Sequence, residues 1–124
     1  MNQPKLREKY WSTVHSTESE IYGENYPCTP WYGVITKSFS DMVQLSFYNE
    51  ESKRVDLDSN ASAYIYLYQN KLFLTQEEAW LDYQHNISLY ILSLEEKLIK
   101  WKEIENLALE KYLIGNFEYD YRLH

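Results

Sequence analysis

A long uninterrupted helix-forming segment constrains this chain more than any other feature. Residues from Gln76 to about Ile114 include no glycine and no proline, and Gly115-Asn116 follows them as a helix stop signal. Thr75-Gln76-Glu77-Glu78 matches a capping box, in which the Thr hydroxyl accepts from the Glu78 amide and the Glu78 carboxylate accepts from the cap amide. The sequence therefore predicts a helix over 75–114, which would be roughly 55–60 Å long at about 1.5 Å per residue.

Apolar side chains repeat every seven residues along this segment, as they do in a coiled coil. The repeating positions are Trp80, Ile87, Leu94, Trp101 and Ala108, and the intervals hold Tyr83, Tyr90, Ile91, Leu98, Ile104 and Tyr112. One sheet of short strands cannot cover such a length, so two arrangements are open. Either the helix is continuous and pairs with a second copy of the chain, or it breaks near Ser93 and folds back as a helical hairpin. A second capping-box match at Ser93-Leu94-Glu95-Glu96 supports the break. The missing glycine and proline favour a continuous helix, and hence a homo-oligomer that forms through the repeating positions.

The residues before Thr75 show the two-residue period of β-strands. Strands are predicted at Trp31–Phe39, Met42–Tyr48, Lys53–Asp58, Ala61–Tyr68 and Lys71–Leu74. The turns between them are short, which is typical of an antiparallel meander or a small barrel over 31–74. Together with the helix, this predicts an α+β fold in a single domain of 124 residues.

The two ends of the chain are less regular. Residues 1–30 are predicted to be irregular or to contain a short helix over Lys5–Val14, where Leu6, Tyr10 and Val14 fall at i, i+4 and i+8. The tail 115–124 alternates apolar and charged residues from Phe117 onward, so it is expected to return as an extra strand or to dock on a partner chain.

The charge balance is acidic, with a formal net charge of −7 and only 12 scattered basic residues. Nucleic-acid binding is therefore disfavoured, because it draws on clusters of Lys and Arg. An acidic surface serves solubility and also suits a basic protein partner. No stretch resembles a signal peptide or a membrane span, so the predicted location is the cytoplasm, which would be the host cytoplasm for a phage-encoded protein.

Residue patterns that carry catalysis or bind metal are missing from the sequence. His15, His85 and His124 lie in unrelated settings without ligand spacing, and Cys28 has no basic neighbour that would activate its thiol. None of the three glycines opens a helix after a strand, as a phosphate-binding loop requires. Asp56 and Asp58 share a strand face, which is more typical of a solvated surface than of an acid/base pair. The sequence therefore predicts a protein that is not an enzyme and has no metal or cofactor.

The strongest candidate for recognition is the run Tyr64-Ile65-Tyr66-Leu67-Tyr68. Alternation places Tyr64, Tyr66 and Tyr68 on one face, with Ala63, Ile65 and Leu67 on the other. Such a row can anchor a protein partner or stack a nucleotide base, in which case Arg54, Arg122 or Lys53 would meet a phosphate. The alternative is structural, since the same tyrosines would cover the long helix or close a barrel.

The junction Leu72-Phe73-Leu74-Thr75-Gln76-Glu77-Glu78-Ala79-Trp80 follows Tyr-rich strands and opens the long helix. Over about residues 31–110, this arrangement resembles small accessory proteins encoded by bacteriophages. The resemblance implies a role in host takeover or counter-defence. The expected function is a non-enzymatic binding protein of the phage-inhibitor type, which blocks a host defence protein. Two alternatives are a protein that sequesters a nucleotide signal and a structural or assembly component.

Overall fold

The structure is a computed structural model that describes residues 3–15, 26–58 and 61–123. It confirms the predicted α+β arrangement, in which an antiparallel sheet is followed by one long helix. The chain forms two compact units, Met1–Ser88 and Leu89–His124, whose boundary falls within that helix. No helix in the described ranges combines the length and the apolar character needed to cross a membrane.

The sheet of the first unit is built around its third strand. Its described strands are β1 (Lys9–Ser12), β2 (Trp31–Ser38), β3 (Met42–Asn49), β4 (Arg54–Val55) and β5 (Ser62–Tyr66). β3 pairs with β2 along one edge and with β5 along residues 42–46 of the other, while the short β4 pairs with Tyr48 and Asn49. β1 lies outside β2. β5 therefore pairs with β3 and not with β4, its neighbour in the sequence.

Several local predictions are wrong. The helix over Lys5–Val14 is instead a turn that includes Arg7 at φ 72°, followed by β1, because pairing with β2 outweighs the local apolar spacing. The strand at Lys71–Leu74 is reduced to one bridge, in which Trp11 and Phe73 exchange two backbone hydrogen bonds of 2.8 Å. The strand expected at Lys53–Asp58 shrinks to β4, and β5 ends at Tyr66 in a 3-10 turn, Leu67–Gln69. The prediction for 16–25 lies outside the described residues.

One face of the sheet carries the core of the first unit, which consists of Tyr10, Ile35, Val43, Leu45, Ala63, Ile65 and Leu72. Gly33 lies on this face, and a Cβ there would come within 2.7 Å of Leu45 Cγ and 2.8 Å of the Ser46 carbonyl oxygen. β2 can therefore approach β3 this closely only because residue 33 has no side chain.

The helix, α1, runs without a break from Gln76 to Ile114, so the hairpin alternative is wrong. Ser93, the expected second cap, donates its hydroxyl to the Tyr90 carbonyl at 2.8 Å, a bond that remains within the helix. Gly115 has φ 70° and donates to the Tyr112 carbonyl, while Asn116 donates to that of Lys111. These two bonds form the expected glycine stop.

The tail of the second unit is not a strand, contrary to one of the two expectations for it. A 3-10 turn, Tyr121–Leu123, follows Asp120, whose carboxylate pairs with Arg122 and lies 3.7 Å from Lys111 Nζ. The hydrogen bonds from Arg122 hold the pKa of Asp120 well below its usual range. These pairs hold the tail against the last turn of α1.

Candidate functional site

Exposed aromatic side chains gather at the β5 end of the sheet face opposite the core. Tyr64 and Tyr66 are 47% and 41% exposed, whereas Ala63 before them and Ile65 between them are buried, so the predicted alternation is correct for these two tyrosines. Tyr68 follows in the 3-10 turn and is 76% exposed. The ring centroids of Tyr66 and Tyr68 are 5.5 Å apart, and those of Phe39 and Tyr64 are 6.5 Å apart. We call Phe39, Tyr64, Tyr66 and Tyr68 the tyrosine cluster. Among the residues that the structure describes, these tyrosines are open to solvent.

Arg54 does not join the tyrosine cluster. It pairs with Asn49, whereas Tyr64 pairs with Gln44, five residues earlier on the same strand. This separation corresponds to about 17 Å along β3, at roughly 3.4 Å per residue. Alternation also places Arg54 on the sheet face of Leu45, opposite the one that carries Tyr64. The predicted combination of a stacking tyrosine and a phosphate-binding Arg54 is therefore not assembled.

A second aromatic group is not predicted from the sequence. Trp11, Tyr32 and Tyr48 form a row across β1, β2 and β3, with ring centroids 5.1 Å and 6.2 Å apart. The Lys9 ammonium lies 4.3 Å from the centre of the Tyr48 ring, within the range of a cation–π contact. The row depends on β1, for which local spacing predicts a helix, and on strand register. The only sequence signal is the presence of large aromatics in the predicted strands.

Hydrogen-bonded polar side chains occupy the middle of the same face. The register shift after Ile35 turns Thr36 toward Ser46, and their hydroxyl oxygens are 2.8 Å apart. Thr36 also donates to the Gln44 side-chain oxygen at 3.1 Å, and the Gln44 amide donates to the Ser62 hydroxyl at 3.4 Å. These polar side chains satisfy one another's hydrogen-bonding capacity. The aromatic side chains are therefore the parts of this face that are suited to recognition.

The second candidate surface lies on α1 within the second unit. Every residue from 94 to 103 is exposed around the full circumference of the helix. This exposed helical segment includes Leu94, Leu98 and Trp101, and Trp101 is 62% exposed. Of the predicted oligomerisation residues, Trp80, Leu94, Trp101 and Ala108 are exposed and Ile87 is partly buried. The three of these residues that belong to the second unit, Leu94, Trp101 and Ala108, are therefore all open to solvent.

The start of α1 is fixed within the first unit through Asp82. Its carboxylate accepts from Thr13 Oγ1 at 2.6 Å, from Lys71 Nζ at 2.7 Å and from Asn86 Nδ2 at 3.0 Å. Burial alone would raise the pKa of Asp82, but hydrogen bonds from Lys71 and Thr13, with the charge of Lys71, lower it on balance. These contacts and the burial of Ala79 give this part of the helix a structural role.

The local structure accounts for two of the groups considered for chemistry, Asp56 and Cys28. Asp56 Oδ1 accepts from the Asp58 amide at 2.9 Å in an exposed turn, and Cys28 is buried. Among the residues described, no three or more His, Cys, Asp or Glu side chains come together as a metal site would require. His124 lies outside those residues.

Comparisons with known proteins give no further assignment. No protein-family model matches the chain, and no curated protein or solved structure does so either.

Proposed function

We propose that this chain is a non-enzymatic binding protein that self-associates through α1 and presents the tyrosine cluster to a protein partner. The observation that carries the proposal is the exposed helical segment, in which no residue is buried. Most of the stability of helices in proteins comes from packing an apolar face against other residues, and within one chain this segment buries none of its residues. Leu94, Leu98 and Trp101 supply such a face at coiled-coil spacing, which favours a second copy of the chain as its cover.

The tyrosine cluster supports binding to a second, different protein. Tyrosine combines a large apolar ring with a polar hydroxyl and loses little conformational entropy when bound, so it is common at the centre of interfaces. The formal net charge of −7 favours a basic surface on that partner. The specific role we propose is that of a phage-type inhibitor, which binds a host defence protein and blocks it.

The test is to express the protein in bacteria that each carry one defined anti-phage defence system and to challenge them with a sensitive phage. We expect plaque formation to be restored against one system, and the purified chain to bind a protein of that system. Replacing two central aromatic anchors, Tyr64→Ala with Tyr66→Ala, should weaken that binding by about 30-fold or more.

Tyr119→Ala is the matched control, because Tyr119 is 79% exposed and belongs to the second unit. Equal losses in the control and in the double variant would contradict a role for the tyrosine cluster. Failure to restore plaques against every system in the panel would contradict the inhibitor role.

A nucleotide-sequestering role has weaker support, because Arg54 lies about 17 Å along the sheet from Tyr64, at roughly 3.4 Å per residue, and on the other face. Native mass spectrometry of protein purified from cells would revive that role if a nucleotide travelled with the chain. An assembly role would be supported by co-purification with virions.

A further inference from the structure

We infer that a second copy of the chain packs antiparallel on α1, with Leu98 of each copy against Trp101 of the other. This inference rests on the proposed self-association and specifies its geometry. It draws only on residues of the second unit, where the exposed helical segment lies.

The apolar residues of α1 define the contact line between the two copies. Ile91, Leu94, Leu98 and Trp101 follow one another at spacings of three and four residues, and Ala108 continues the line. In heptad notation, Ile91 and Leu98 occupy a positions, and Leu94, Trp101 and Ala108 occupy d positions. All five are exposed. We call these five residues the seam.

Charged residues flank the seam and determine whether a parallel or an antiparallel pair of helices is favoured. Glu95 and Lys102 occupy successive e positions, Lys97 occupies a g position, and Glu105 falls at an a position within the line itself. Residues at e and g set partner choice and orientation in coiled coils, because they face each other across the contact.

A parallel pair in register would bring like charges together. In a parallel pair, the g position of one helix faces the next e position of the other, so Lys97 would face Lys102 twice. Glu105 would also meet its own copy inside the contact. In the parallel pair, each of these two contacts places equal charges side by side. The Glu105 carboxylates would also be desolvated inside the contact.

An antiparallel pair removes both like-charge contacts. Positions e then face e, so Glu95 of each copy meets Lys102 of the other, and the two-fold symmetry repeats this attractive pair. Leu98 packs on Trp101 of the second copy, Ile91 packs on the small Ala108, and Glu105 meets Leu94 instead of another carboxylate. Charge and size complementarity therefore both favour the antiparallel arrangement.

The tail of the second unit leaves this seam accessible. The partly buried positions Ile104, Leu107 and Lys111 follow one another at three- and four-residue spacing, and Asp120 lies 3.7 Å from Lys111 Nζ. This side of the helix lies next to the seam and does not include Ala108, which is exposed. A second copy can therefore reach the seam while the tail stays in place.

Lys102→Glu separates the two orientations. In the antiparallel pair the introduced carboxylate lies opposite Glu95 twice, so the dimer dissociation constant measured by sedimentation equilibrium should rise on the order of tenfold at low salt. In a parallel pair the same change would place that carboxylate opposite Lys97 twice, and the resulting attractions would lower the constant. The double variant Glu95→Lys with Lys102→Glu should restore the original constant.

Lys100→Glu is the matched control, because it makes the same charge change on the side of the helix away from the seam and should leave the constant unchanged. Circular dichroism of each variant verifies that the helix persists. A dimer that Lys102→Glu strengthens or leaves unchanged would overturn the antiparallel arrangement alone. A wild-type chain that stays monomeric at high micromolar concentration would overturn the self-association itself.

Cysteine cross-linking provides an independent measurement in a Cys28→Ser background. Leu94→Cys alone should not form a disulfide-linked dimer, because residue 94 faces residue 105 of the second copy, whereas Leu94→Cys with Glu105→Cys should form one. Efficient cross-linking of the Leu94→Cys single variant would indicate a parallel pair and overturn the inference.

Discussion

At the scale of single residues, Asp82 connects three parts of the first unit. Its carboxylate accepts hydrogen bonds from Thr13, which follows β1, from Lys71, which precedes α1, and from Asn86, one turn further along the helix. Its side chain is only 17% exposed. Replacing the carboxylate with an amide removes the charge that faces Lys71 and turns one of the two acceptor oxygens into a donor. A partly buried donor then loses its acceptor, which is costlier than losing an exposed ion pair.

Asp82→Asn should lower the free energy of unfolding by about 1–3 kcal/mol at neutral pH. The pKa of Asp82 is lower in the folded chain than in the unfolded chain, so its charge stabilises the fold at every pH above the unfolded pKa, about 3.9. That stabilisation disappears as the pH falls below this value through the folded pKa. The measurement is urea unfolding at a fixed protein concentration between about pH 7 and about pH 3.

The difference between wild type and Asp82→Asn should shrink as the pH falls through that window. Asp41→Asn is the control, because Asp41 is exposed, and it should change stability by less than about 0.5 kcal/mol. A difference that stays constant down to about pH 3 would show that the carboxylate charge is not what stabilises this junction.

At the scale of elements, the junction before α1 forms a modified capping box. The Glu78 amide donates to Thr75 Oγ1 at 3.3 Å, as expected. The Glu78 carboxylate accepts from the Thr75 hydroxyl at 3.0 Å, where the predicted box has it accept from the cap amide.

Thr75→Ala should therefore lower the free energy of unfolding by about 1 kcal/mol, whereas Thr75→Asp keeps a cap acceptor and should stay near wild type. Urea unfolding of the three chains compares them, and equal losses in both variants would argue against the cap.

Local signals explain which elements the sequence predicts correctly. The bounds of α1 follow from Thr75 and Gly115, and the central strands follow from their two-residue period, because caps and alternation depend on neighbouring residues alone. β1 escapes such prediction because Ser12, a polar residue, is fully buried in it, so the apolar alternation is hidden. The Ser12 hydroxyl accepts from the Val14 amide at 3.2 Å, so this buried oxygen has a hydrogen-bond partner inside the unit.

Features that depend on register lie beyond local prediction. The choice of β3 as the partner of β5 brings Tyr64 opposite Gln44 and separates it from Arg54. The same sheet aligns Trp11, Tyr32 and Tyr48 from three strands. In both cases, residues distant in the sequence meet only once the pairing of strands is known.

At the scale of the whole molecule, the two units differ in what holds their residues in place. The first unit has a buried core that includes Val43, Leu45 and Ile65, all with no exposed surface. The exposed helical segment of the second unit has no such core, because each of its residues is exposed. If a second copy covers it, the stability of this segment must depend on protein concentration, whereas that of the sheet need not.

Amide hydrogen exchange tests this dependence residue by residue. Protection of the amides of residues 94–103 should rise with protein concentration, because association would bury apolar side chains of this segment that are exposed in a single chain. The amides of Val43 and Leu45 should show no such rise below the global unfolding limit, since their protection comes from the core of one chain. Lys102→Glu should reduce the protection of 94–103 at a given concentration, and Lys100→Glu should not. Strong protection of 94–103 that is independent of concentration would mean that the helix is stable without a second copy.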